Sequence, residues 1–189
     1  MSKFEIITIT LSFIIGLGVA QLLSSFGAAV RERLEHPLHW MPFAWGLVIL
    51  LLSIQFWFAL FDLDSVLSDW SWLWYLQILA LAIALFLAGT LILPTRVSSS
   101  KGGLREDFIA HGRYALLALS AYLLGWLPPN ARMNDGNLIT EPNVLNVAMA
   151  IVTLIVFKSR SNRTWLASTL VFYLIFLYAV LFVYSAPGA

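Results

Sequence analysis

Residues 108–127 read FIAHGRYALLALSAYLLGWL, and the number of times this chain crosses a bilayer turns on them. A helix needs about 20 predominantly apolar residues to cover ~30 Å of hydrocarbon. The stretch has that length, but it is uniformly apolar only from Tyr114 onward, after His111 and Arg113. The next stretch, PNVLNVAMAIVTLIVF at 142–157, has 16 residues and reaches only ~24 Å at the helical rise. Four further runs, at 6–27, 40–61, 72–93 and 165–184, are comfortably long and apolar. Counting both shorter stretches predicts an all-α polytopic bundle of six transmembrane helices. Losing either predicts five and sends the two termini to opposite faces.

Positive charge chooses between these counts. With six crossings, loops one, three and five share a side and carry Arg31 and Arg33, then Arg96, Lys101 and Arg105, then Lys158, Arg160 and Arg163. The other side holds Lys3 and Arg132, and Arg113 stays inside the fourth span near its start. Lys and Arg concentrate in cytoplasmic loops, so both termini are expected outside. Omitting one short stretch destroys the alternation. Trp57, Trp70, Trp72, Trp74, Trp126 and Tyr184 then fall near outer ends, and Trp40 and Trp165 near inner ends, where amphipathic rings favour the interface. Ser2-Lys3-Phe4-Glu5 reads as a capping box, His36-Pro37 puts proline in the first turn of helix two, and Pro128-Pro129 predicts a stop for helix four. Ser98 to Gly103 and Asn134-Asp135-Gly136 read as loops.

Composition agrees. Of 189 residues, 60% are hydrophobic and 11% charged, with a mean hydropathy of +0.86; a soluble domain of this size could not hide so much apolar surface, so lipid is the expected solvent. One bundle over 1–189 is expected. A net charge of +1, with basic residues confined to loops, argues against nucleic acid as a partner. The absence of cysteine removes disulfides, thiolate nucleophiles and sulfur-ligated metals. The first apolar run lacks a basic leader and a small-residue cleavage site, so it is expected to be retained as a helix. No H-E-x-x-H, G-x-S-x-G or phosphate-cradling glycine loop is present. Catalysis is the weaker class, and no cofactor or metal is expected.

Within the spans, polar and small residues recur at helical spacing. Helix one repeats Thr8, Ser12, Gly16, Ala20, Ser24 and Ala28. Small residues four apart let backbones approach closely in lipid, so Gly16, Ala20 and Ser24, with Gly27, are expected to form a helix-packing face. Gly18, Gln21 and Ser25 form a second face, and a helix with two such faces is expected to sit centrally. Helix three aligns Gln77, Ala80, Ala84 and Ala88; helix four His111, Ala115, Ala118, Tyr122 and Gly125; helix five Asn143, Asn146, Ala150 and Thr153. Helix six is bulky and apolar, the candidate for greatest lipid exposure.

Gln21, Gln55, Gln77, His111 and Asn146 are the candidate intramembrane polar residues. Either they line a solute pathway, because polar groups are costly in hydrocarbon, or they bond neighbouring helices at ~0.6 kcal/mol per contact. The second reading is favoured, since no span carries a mid-membrane carboxylate for proton coupling. Arg113 is expected to snorkel to the cytoplasmic headgroups. His36 and His39, at i and i+3 beside Pro37, read as a solvated interfacial pair rather than metal ligands. Asp62, Asp64 and Asp69 read as a solubilising outer loop.

The strings Ile15-Gly16-Leu17-Gly18-Val19-Ala20-Gln21-Leu22-Leu23 and Gln55-Phe56-Trp57-Phe58-Ala59-Leu60-Phe61 resemble a group of small, uncharacterised bacterial integral membrane proteins. The resemblance covers about the first third of the chain. It implies a multi-pass protein of a bacterial inner membrane and carries no activity or site. The expected function is a structural or accessory membrane protein, with a second copy or another membrane protein as partner. The alternative is a small channel or transporter.

Overall fold

The computed structural model describes residues 3–34, 38–66, 71–94 and 103–183, and every regular element within them is helical. The elements are α1 (Lys3–Arg31), α2 (Trp40–Val66), α3 (Trp72–Leu91), α4 (Gly103–Asp107), α5 (Tyr114–Gly125), α6 (Leu127–Met133), α7 (Glu141–Lys158) and α8 (Asn162–Tyr178). Wide π turns, Phe108–Gly112 and Ala179–Val183, follow α4 and α8. Local chemistry sets the starts. The Ser71 hydroxyl accepts from the Trp74 N–H, and the Thr140 hydroxyl from the Asn143 N–H, with Pro142 in a first turn that lacks helical acceptors anyway. The expected cap at Ser2, proline start at Pro37, loop from Ser98 to Gly102, outer-loop Asp69, Trp70 and Tyr184, and basic residues Arg96 and Lys101 lie outside the described residues, as do the side chains of Asp62 and Asp64.

Among the described residues, five helices are long and apolar enough to cross a membrane: Phe4–Leu34, Trp40–Phe61, Trp72–Leu91, Glu141–Lys158 and Asn162–Val183. The short stretch at 142–157 therefore gains a residue at each end and becomes a span-length helix. The stretch at 108–127 belongs to a broken pair, Gly103–Gly112 and Tyr114–Met133, bent by 49°. The bend follows the π turn, where the Arg113 N–H reaches back five residues to the Phe108 carbonyl at 2.8 Å. Pro128-Pro129 does not stop this segment as expected. The prolines occupy the first turn of α6, where a missing N–H costs nothing, and Asn130 N–H continues the helix by donating to the Trp126 carbonyl.

Named contacts give each helix its direction. Gln77 near the start of α3 meets Gly125 at the end of α5, whereas Gly112 lies against the Ile92 carbonyl at the other end. Tyr114, Ser120 and Asn130 meet Phe157, Thr153 and Asn143 in descending order along α7. The segment from Tyr114 to Asn130 thus runs antiparallel to both α3 and α7. Tyr178 at the end of α8 reaches Glu141 at the start of α7, and α8 runs parallel to α2 through Trp165 with His39 and Phe172 with Trp45.

The central helix is α2, a correction to the expectation for helix one. Met41, Trp45, Val48, Ile49, Leu52, Phe56 and Leu60 are all buried. It contacts α1, α3, α6 and α8. On α1 the buried row is Ile7, Leu11, Ile15, Gly18, Leu22, Ser25 and Ala29. The small row points away, with Gly16, Ala20 and Ser24 exposed and Gly27 half-buried. Large side chains make many dispersion contacts and small ones few, so Leu11, Ile15 and Leu22 face the bundle. Only Gly18 serves a close approach, a Cβ there lying 3.3 Å from the Phe86 Cα, while a Cβ on Gly16 would meet nothing within 4 Å. The α8 surface is indeed rich in exposed Leu166, Leu170, Leu174 and Leu177, but α1 is as sparsely buried.

Candidate functional site

A chamber of about 100 Å³ opens between α2, α5, α6 and α7 in the half of the bundle that holds the start of α7. Two of the sequence-predicted residues, Gln55 and Asn146, line it together. They arrive from different helices: Gln55 lies one residue before the buried Phe56 on α2, and Asn146 continues the Asn143 stripe of α7. Asn130 on α6 joins them, and Tyr122, Trp126 and Phe58 supply aromatic walls. Phe56 packs against both Tyr122 and Trp126, with ring centroids 6.5 and 6.0 Å away, which holds these walls in place.

The amides differ in how they are satisfied. Asn143 is the scaffold: its Nδ2 donates to the Leu138 carbonyl at 2.9 Å and the Leu127 carbonyl at 3.3 Å, and its Oδ1 accepts from Asn130 Nδ2 at 3.0 Å. The Asn130 carbonyl in turn accepts from Asn134 Nδ2 at 2.8 Å. These bonds tie α6 and the following turn to α7. Gln55 has no such partner, and its Oε1 is buried without a hydrogen bond among the described residues. Asn146 is 4% exposed and makes no side-chain bond to a described residue. Buried amide groups cost about 1–3 kcal/mol when unpaired, so Gln55 leaves an unmet acceptor at the chamber wall.

About 10 Å deeper along α7 the seam is closed. Ser120 and Thr153 bond to each other, and each also donates or shares a hydrogen with its own helix, at Leu116 and Ala150. Ala115, Leu116, Leu119 and Val156 around them are at most 1% exposed.

The other candidates lie elsewhere. Gln77 Nε2 donates to the Gly125 carbonyl at 2.8 Å and joins α3 to α5. Gln21 is half-buried on α1. His111, expected within the bundle, is exposed and contacts Asp107 at 3.3 Å. Its alignment with Ala115 and Tyr122 assumed continuous α-periodicity, which the π turn and the 49° bend interrupt. Asn130 was missed because Pro128-Pro129 read as a terminator; read as a helix start, it would have placed Asn130 in the first turn of a buried helix.

The opposite end carries most of the cations of the described residues. Trp165 Nε1 donates to the Ser159 carbonyl at 3.0 Å, and its ring is met by Phe108 at 5.6 Å, His39 at 6.3 Å and the Arg105 guanidinium at 5.7 Å. Burial, and then the Arg105 charge, hold His39 below the ordinary histidine pKa. Arg113 lies 5.5 Å from both the Tyr114 and Phe157 rings. It caps aromatic faces rather than extending freely. His36 lies outside the described residues, so the paired-histidine reading reduces to His39, whose Nδ1 accepts from the Met41 N–H.

The chain matches no family model, and comparisons with curated proteins and with solved structures find no match.

Proposed function

We propose that this is a bacterial inner-membrane protein with six crossings and both termini outside, acting as a non-catalytic structural or accessory bundle that associates with a second copy through α1. The closed Ser120–Thr153 layer carries the reading. Ser120 and Thr153, in the middle of α5 and α7, are consumed in a helix-to-helix contact, as polar side chains in membrane bundles commonly are, and the chamber ends before that layer. The sixth crossing is supported by the Tyr114–Met133 segment, which matches the height of α7 contact for contact. The orientation is supported by Arg31, Arg33, Arg105, Arg113, Lys158, Arg160 and Arg163 gathering at one end of the bundle. Self-association is supported by the outward Gly16, Ala20 and Ser24 row, flanked by exposed Phe13 and Leu17.

Three measurements test the parts. Purified protein in liposomes is expected to pass no ion or small solute faster than empty vesicles; a flux lost in Gln55→Leu would establish the transporter reading instead. The chain lacks cysteine, so Ser24→Cys introduces a single thiol, expected to crosslink copies in native membranes while Leu174→Cys on α8 does not. A reporter active only outside the cytoplasm, fused after Ala189, is expected to be active. An inactive reporter overturns the orientation.

A further inference from the structure

We propose that the Gln55–Asn130–Asn146 chamber is a binding site for a small, uncharged, amide-like solute of the urea and acetamide class, entered from the α6 end of the bundle. This goes beyond an accessory role, and neither the closed seam nor self-association requires it. Size comes first. A chamber of about 100 Å³ has room for more than one water molecule, which suits a ligand of small size.

Charge comes second. The lining residues are Leu, Phe, Ala, Tyr, Trp, Met, Gln and Asn, with no ionisable carboxylate or base. An ion stripped of water here would meet no countercharge, at a cost of many kcal/mol. Aromatic faces at Tyr122 and Trp126 offset only a little of that for a cation. The ligand is therefore neutral.

Hydrogen bonding comes third and sets the class. Gln55 Oε1 is a buried acceptor that needs a donor. Asn146 offers a carbonyl and an NH₂ that no described residue engages, and Asn130 has its NH₂ committed to Asn143 while its Oδ1 accepts no bond from a described residue. The NH₂ groups of Gln55 and Asn146 face the same space, so it offers both acceptors and donors to one small ligand. A ligand with two or more N–H donors and one carbonyl satisfies this set, and the planar amide fits flat against ring faces. A monohydric alcohol brings one donor and leaves an acceptor unmet. Purely apolar solutes leave all of them unmet, a discrimination worth orders of magnitude in sites built to bond polar ligands.

The test uses a near-isosteric pair, acetamide and acetamidinium; the cation adds a charge and replaces the carbonyl acceptor with a second NH₂. The full chain in nanodiscs of deuterated lipid is observed by saturation-transfer difference NMR on the ligand methyl. Acetamide is expected to give a signal that urea competes away, and acetamidinium at least fivefold less. Gln55→Leu and Asn146→Leu are expected to lower the acetamide signal at least fivefold. Ala59→Leu, which fills the chamber and leaves every amide in place, is expected to do the same, and each variant must elute as the native chain does. Gln77→Leu, which removes an amide outside the chamber, is expected to keep the signal. No acetamide signal, equal signals from the two ligands, or a signal that survives Gln55→Leu and Ala59→Leu each overturns the proposal.

Discussion

The two ends of the bundle use polar residues in opposite ways. At the basic end, charged and titratable groups lie against rings: Arg105 and His39 on Trp165, and Arg113 between Tyr114 and Phe157. At the other end, three neutral amides face one chamber; Gln55 Oε1 is buried without a hydrogen bond, and Asn146 makes no side-chain bond, among the described residues. Charge attracts attention in a sequence, yet here Arg105 and Arg113 lie against rings, while Arg31, Arg33, Lys158, Arg160 and Arg163 are exposed. What distinguishes the chamber is an unmet acceptor beside open space, because only there can a ligand recover the free energy.

The sharpest break of this contrast is Trp165→Ala. Trp165 is 2% exposed beneath three ring and cation contacts, and its loss is expected to cost ~3–5 kcal/mol of stability, read as a fall in Tm in detergent. A loss under about 1 kcal/mol would show that the basic end is not packed as described. Asn143→Leu attacks the outer scaffold. It strands the Leu127 and Leu138 carbonyls and the Asn130 amide, so a loss of ~2–3 kcal/mol is expected.

Between the ends, a double-mutant cycle on Ser120→Ala and Thr153→Val is expected to give a coupling of ~0.6–1.7 kcal/mol; zero coupling would mean that the seam is not closed by their bond. Gln55→Leu is expected to leave stability within ~0.5 kcal/mol of the native chain or to raise it, because it deletes an orphaned acceptor. A loss larger than that would show that Gln55 holds the fold rather than a ligand.

Acidification provides the gentlest test. His39 precedes the second span and is held neutral in the folded chain by burial and by Arg105. Its unfolded counterpart takes a proton at the ordinary value of about 6.5. The contribution is therefore intact above about pH 6.5 and is lost as pH falls through the lowered folded pKa. Stability should drop over that range in the native chain and less in His39→Phe. Ligand binding in the amide chamber should stay flat, since amides do not titrate.

Much of the architecture was legible from local composition. Hydropathy located the five span-length helices but not α4 or α6, and Asn143, Asn146, Ala150 and Thr153 share the buried face of α7 that their spacing traced. Legibility failed where periodicity was interrupted or ambiguous. The π turn at Phe108–Gly112 broke the line from Tyr122 to His111, and prolines that restart a helix looked like prolines that end one. On α1 the small row and the bulky row were equally regular, and regularity did not say which one faced inward.

By itself, the sequence determined that the chain is a set of apolar helices suited to lipid and that basic residues gather toward one side, because transfer of side chains into hydrocarbon depends on each residue and its near neighbours. Only the tertiary structure decided that α2 is central, that α1 turns its bulky row inward, and that Gln55 and Asn146 meet across one chamber. Lipid tails compete with leucine for the same contacts, so hydropathy hardly orients a helix about its own axis. Shape complementarity between helices does, and it is a property of the packed ensemble rather than of any one segment.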